Sequence, residues 1–318
     1  LQPALISLFI LAAFIACYIG LQRDPKPHGL PVAAVGRSLA AGLEGGLGDQ
    51  VSVQTATSNG SAQAALERRD VVAVVGGDDR RLHLEVAGAN GVSTTVAVEQ
   101  AVKSYAARAG AQLTIHDAVP LVAFDRKGTA GFYVVFGVSL AGFVFAQMTL
   151  GVVRLLASVH QLVMVAVFSA ASGLVAAAVA GPALGAVPAP VLPLTCALAL
   201  LTAATASATV MLCTYLGTFG IPVATLLLLT VGISTSGATT GVDLLPLIAR
   251  SISPCLPPGA AFRAVTDFSY FEGAHAAGSL IVLAVWAVLA TALTFAHPFV
   301  RQLRRRIFHL SAGRNASH

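Results

Sequence analysis

Of the chain's 33 charged residues, 19 basic and 14 acidic, only Arg154 lies between Lys127 and Asp243. A soluble domain must cover its core with polar surface, so a charge-free run of that length cannot fold in water. It reads as a bundle of membrane helices, and the function has to be one that such a bundle can perform. Ahead of it stand a short apolar segment and a polar stretch over residues 23–127. A basic tail follows it.

The chain is 56% hydrophobic and 10% charged, with a mean hydropathy of +0.80, which is the composition of a polytopic membrane protein. The formal charge of +5 is no nucleic-acid signal, because the arginines do not gather on a polar domain. Arg301, Arg304, Arg305, Arg306 and Arg314 follow the last apolar segment, the position of a cytoplasmic tail at 301–318. Arginine far outnumbers lysine, and Ala, Val and Gly are abundant, as in an actinobacterial-like, GC-rich genome. Cys17, Cys196, Cys213 and Cys255 are scattered, without His or carboxylate neighbours at ligand spacing. Neither a disulfide framework nor a metal site is expected, and no cofactor. A phosphate-binding P-loop needs glycines before a Lys-Ser or Lys-Thr pair; Lys103-Ser104 has none.

The expected fold is an α-helical polytopic membrane protein of six spans, with an α/β domain inserted between spans 1 and 2. The first span, near Ala4 to Leu21, is longer than a signal-peptide core and lacks an Ala-x-Ala site before Arg23, so a retained anchor over residues 1–22 is expected. Within 23–127, Leu30–Gly36, Val51–Thr55, Val71–Gly76 and Leu82–Ala87 have strand composition. Arg37–Leu47, Ser61–Arg69 and Thr94–Ala109 read as helices between and after them, which predicts a mixed sheet. The five-span part, 128–300, has spans near Gly131–Val153, Gln161–Ala180, Val191–Leu216, Ile221–Thr239 and Gly278–Ala296. Counting back from a cytoplasmic tail places both termini inside a bacterial cytoplasmic membrane and domain 23–127 outside it.

The segment 241–275 is apolar enough for the membrane interface yet is broken by Pro254, Pro257, Pro258 and Gly259. Two short helices around a proline break fit it, either as a re-entrant external gate, with Arg263, Asp267 and Glu272, or as an interfacial loop held by Phe268, Tyr270 and Phe271. Arg263 and Asp267 stand four apart, the spacing of a solvated pair on one helical face. Ser234 in an apolar helix, with His275 or His297, gives only a loose likeness to an intramembrane Ser-His protease. Ser234 is followed by Thr235, and both histidines fall at the ends of the last span, so no catalytic residue is expected. The span interiors hold no Asp, Glu, Lys or Arg, which argues against an ion-coupled pump. Their Ala, Gly, Ser and Thr residues, as in Thr202–Thr209, suit close helix packing.

Three local matches accompany this layout: Leu30-Pro-Val-Ala-Ala-Val-Gly36 after the anchor, Asp125-Arg-Lys-Gly128 with Phe132-Tyr133 before the second span, and Leu256-Pro257-Pro258-Gly259 with Arg263 and Tyr270-Phe271-Glu272-Gly273 before the last. With the layout, they resemble the ABC-2-type membrane proteins, within them the YhgE/Pip (phage infection protein) branch. The resemblance implies an ABC-2 permease-like fold working as a homodimer or as a heterodimer with a similar subunit. It also implies a separate ATPase partner docking on the loop Arg154 to His160. The cargo expected is a lipid, glycolipid or other amphipathic envelope molecule. The alternative is a non-transporting envelope or secretion scaffold that binds a protein through its external domain.

Overall fold

A helix that is apolar on all sides has no face to offer water. Helix α1 (Gln2–Gln22) contains no buried residue, and Leu5, Leu8 and Phe9 are each at least 60% exposed. Beside lipid chains such a surface costs nothing. The computed structural model describes residues 2–23, 25–78, 80–153 and 158–315. Among them, five helical stretches are long and apolar enough to cross a membrane: Gln2–Gln22, Ala130–Gly151, Val159–Ala183, Val191–Ser234 and Ala276–Pro298.

Between α1 and the second of these stretches lies a five-stranded sheet. Its strands are β1 (Leu30–Val35), β2 (Val51–Ala56), β3 (Ala73–Gly77), β4 (Arg81–Val86) and β5 (Gln112–Asp117), in the order β2-β1-β3-β4-β5. Strands β2, β1 and β3 are parallel, β4 runs antiparallel to β3, and β5 is parallel to β4. Helices α2 (Arg37–Leu47) and α4 (Val92–Ala109) supply Leu43, Leu47, Val98 and Val102 to one face of the sheet. Helix α3 (Asn59–Glu67), capped by Ser58, supplies Ala62 and Leu66 to the other. The sheet is mixed, as the strand and helix order predicts. Strand β5 was not anticipated, although Leu113 and Ile115 alternate with polar neighbours in Gln112–Asp117.

The remaining helices are α5 (Ala130–Val153), α6 (Ser158–Ala178), α7 (Val191–Leu216), α8 (Gly220–Ala224), α9 (Gly232–Ser234), α10 (Leu247–Ile252), α11 (Pro257–Tyr270) and α12 (Ala276–Asn315). A π-helical stretch, Thr225–Val231, joins α8 to α9, and another, Val179–Ala183, extends α6. The stretch Val191–Ser234 has 44 residues, about twice the length that crosses a bilayer. It folds back at Gly217, whose φ is +57°. Seven residues along a continuous helix separate two atoms by about 10 Å, yet a Cβ on Gly220 would lie 2.3 Å from the Cα of Cys213. The returning helix ends at Ser234, short of Thr239, where Ser236 bonds back to the carbonyl of Ile233 and Gly237 has a φ of +85°.

Helix α7 sits at the centre, packed by α5, α6, α11 and α12. Its hydroxyls are used locally: Thr202, Thr205 and Thr209 donate to the carbonyls of Leu198, Leu201 and Thr205. That leaves a surface of small side chains on which other backbones can rest. A Cβ on Gly173 of α6 would meet the Thr195 carbonyl and Ala199 nitrogen at 2.6 Å, and one on Gly142 of α5 would meet the Thr202 carbonyl at 2.9 Å. We therefore expect Gly173→Val to cost about 1–3 kcal/mol, read by thermal unfolding in detergent. Gly137→Val, where a Cβ meets nothing within 4 Å, should leave the midpoint unchanged.

Candidate functional site

The segment between α9 and α12 joins the bundle to the sheet. Leu244 enters the core on one face of the sheet, and Phe271, 1% exposed, enters the core on the other. Between these two anchors the chain makes two short helices around a proline elbow, α10 and α11, as the proline spacing predicts. Pro257, Pro258 and Gly259 are buried, and Pro254 is exposed. A Cβ on Gly259 would lie 2.2 Å from the Ser253 carbonyl oxygen, so the elbow closes only with glycine there. The indole of Trp286 donates to the Cys255 carbonyl at 2.7 Å. Trp286 lies ten residues into α12, so the elbow reaches about 15 Å down that helix. Helix α11 then climbs back, burying Ala260, Ala261, Ala264 and Val265 against the bundle. Glu272, exposed and with a φ of +51°, turns the chain out of α11.

At the top of α11, Asp267 is 1% exposed, and its Oδ1 accepts from Arg69 of the sheet domain at 2.7 Å. The i, i+4 spacing points to Arg263 as its partner on a solvated face. The structure corrects this, because that face of α11 turns toward the sheet and meets Arg69 first. Arg69 also donates through Nε to Asn90 Oδ1 at 3.0 Å and lies over the Phe271 ring. Its φ is +62° at the end of α3, where glycine is usual. The side chain explains the departure, since a glycine there would supply no cation to Asp267. A second pair, Arg250 to Asp243 at 3.0 Å, ties α10 to the turn before it, and Arg250 also donates to the His28 carbonyl just after α1. Burial pushes the Asp243 carboxyl above its ordinary 3.8, against the opposing pull of Arg250 and Arg69. Arg69, Asn90, Asp243, Arg263 and Asp267 line a cavity of about 250 Å³ between sheet and bundle.

A second cavity, about 460 Å³, lies in the half of the bundle remote from the sheet. Its walls come from α5, α6, α7 and α12, including Phe145, Leu162, Ala203, Val210, Val288 and Phe295. Thr291 donates to Ser207 across it at 3.1 Å, and among the described residues no charged side chain lines it. Its small residues, read from sequence as packing alone, also leave this gap.

The other residues singled out from sequence do not converge. Arg154 lies outside the described residues, and His160 is exposed in the first turn of α6. The Ser234 hydroxyl donates to the Val231 carbonyl, His275 pairs with Asp70 at the protein surface, and His297 meets Tyr215 edge-to-face at the opposite end of the bundle. Among the described residues no cluster of His, Cys, Asp and Glu is arranged to hold a metal. Comparison with family models, curated proteins and solved structures gives no match.

Removing Arg69 leaves a buried carboxylate without its cation. Arg69→Met is expected to lower stability by about 3 kcal/mol, and Arg69→Met with Asp267→Leu by much less. Thermal unfolding of the single and double variants checks this. Equal losses in the two would mean that the pair does not hold the sheet to the bundle.

Proposed function

We propose that the chain is a membrane subunit of an export system of ABC-2 type, handling a lipid or another amphipathic molecule. The observation that carries this reading is the apolar cavity among α5, α6, α7 and α12. A gap of about 460 Å³ with no charged lining among the described residues, in a bundle of membrane-crossing length, suits an acyl chain better than an ion or a sugar.

In this reading α1, α5, α6, α7, the α8–α9 helix and α12 make six crossings, and the sheet domain lies on one side with the elbow between α10 and α11. By the positive-inside rule, the basic residues in the C-terminal part of α12, beyond Pro298, favour a cytoplasmic position for the opposite end of the bundle in a bacterial cell. The elbow is then re-entrant from the outer face, as an external gate would be. Buried backbone is tolerated at that depth because α11, α12 and α9 surround it; Pro258, for instance, packs on Gly232. Energy would come from a separate ATPase docking near His160. Two copies, or one with a similar subunit, would form the pathway. The layout's resemblance to the YhgE/Pip branch supports the same reading.

Two measurements test it. The native complex purified in mild detergent should carry an ATPase whose hydrolysis falls in an Ala203→Phe variant. Native mass spectrometry should find phospholipid on the wild type and less on Ala203→Phe, with the unfolding midpoint unchanged or raised because the cavity is filled. A complex without ATPase, or equal lipid on both forms, contradicts export and leaves the scaffold reading.

A further inference from the structure

The cavity between the sheet and the bundle is lined by the guanidinium groups of Arg69 and Arg263 and by the carboxylates of Asp243 and Asp267, and Arg250, outside that lining, pairs with Asp243. Arg69 is taken by Asp267 and Arg250 by Asp243. Arg263, half-buried on α11 and lining the cavity, makes no hydrogen bond or contact ion pair among the described residues and is attracted to Asp267 only beyond contact distance. An unpaired cation is costly away from water, so a partner is expected to complete the site.

The neighbouring groups say what that partner offers. Asn90 accepts from Arg69 through Oδ1, which fixes its amide nitrogen as a donor, and that Nδ2 is buried with no acceptor. The cavity therefore presents a free guanidinium and a free amide N–H₂, the donor set that grips an oxyanion. The unpartnered acceptor lining it is Asp267 Oδ2, 1% exposed. It suits an anion that keeps one O–H, as a singly charged phosphate does. We propose that this cavity binds a phosphate group through Arg263 and Asn90, with a phosphate hydroxyl donating to Asp267. Bound there, between α11 and the strand–helix loops, it would lock the sheet domain onto the elbow. The phosphate comes either from a phosphomonoester lipid headgroup or from solution. The site stands whether or not the bundle transports anything.

The test uses the purified full chain. In detergent, inorganic phosphate is compared with chloride at matched ionic strength; in nanodiscs, phosphatidylcholine alone is compared with phosphatidylcholine plus phosphatidic acid, whose phosphomonoester keeps an O–H. The wild type should unfold at a higher temperature with phosphate, with phosphatidic acid, or with both. The responding arm identifies the source. Arg263→Gln should weaken the response at least about tenfold in apparent affinity, while unfolding no lower than the wild type without ligand. Asn90→Asp keeps the acceptor for Arg69 and gives Arg263 an internal anion, so it should raise the midpoint without ligand and abolish the response. This variant carries the test if Arg263→Gln does not fold. A wild type indifferent to both probes, or variants that respond as it does, would overturn the proposal.

Discussion

Hydrocarbon supplies no hydrogen-bond partner, and that constraint sorts the groups of this chain by position. In the central helix α7, Thr202, Thr205 and Thr209 turn their hydroxyls onto the helix's own carbonyls. Charge gathers where the bundle meets the sheet, in Arg69, Asp243, Arg250, Arg263 and Asp267. Irregular backbone collects there too, in the turns after α9 and in the proline elbow. Packing of the sheet onto the bundle follows from this sorting, because buried charges at the junction require partners from both sides.

The segment from Val242 to Phe271 carries that junction. Leu244 and Phe271 are inserted into opposite faces of the sheet domain, and α11 lies between them against α5, α7 and α12. A movement of the elbow would therefore be felt in both the sheet and the bundle. Trp286 links it to α12, whose remote half forms one wall of the apolar cavity. Helix α12 thus links the elbow to the apolar cavity, which gives a physical route by which a movement at one end could bias the other. The polar cavity offers a charge and the apolar one a surface, as the two halves of an amphipathic molecule would require.

Much of this order is legible in the sequence, for reasons that are local. Helix α7 begins and ends where its apolar run does, because Pro190 precedes it and Gly217 follows it. Strands β1 to β4 follow their β-branched runs, and α10 and α11 flank the prolines between them. Strand β5 leaves little trace in the sequence because Gln112–Asp117 is half polar, as befits an edge strand with one exposed side. The partner of Asp267 is hidden for a different reason. Spacing within one helix names Arg263, whereas the residue that binds lies 198 positions away in an αL turn. Contacts between distant segments leave no periodicity to read, and the small residues of α7 look the same whether they pack tightly or leave a gap.

The central claim is that lipid surrounds the helices and that the sheet domain stands on one side of it, opposite both chain ends. Single cysteines placed at Ser104, exposed on α4, and at His160, exposed on α6, test it directly once the native cysteines are replaced. A membrane-impermeant thiol reagent added to intact cells should label position 104, and should reach position 160 only after permeabilisation. Labelling of both positions in intact cells, or of position 160 alone, would contradict the account.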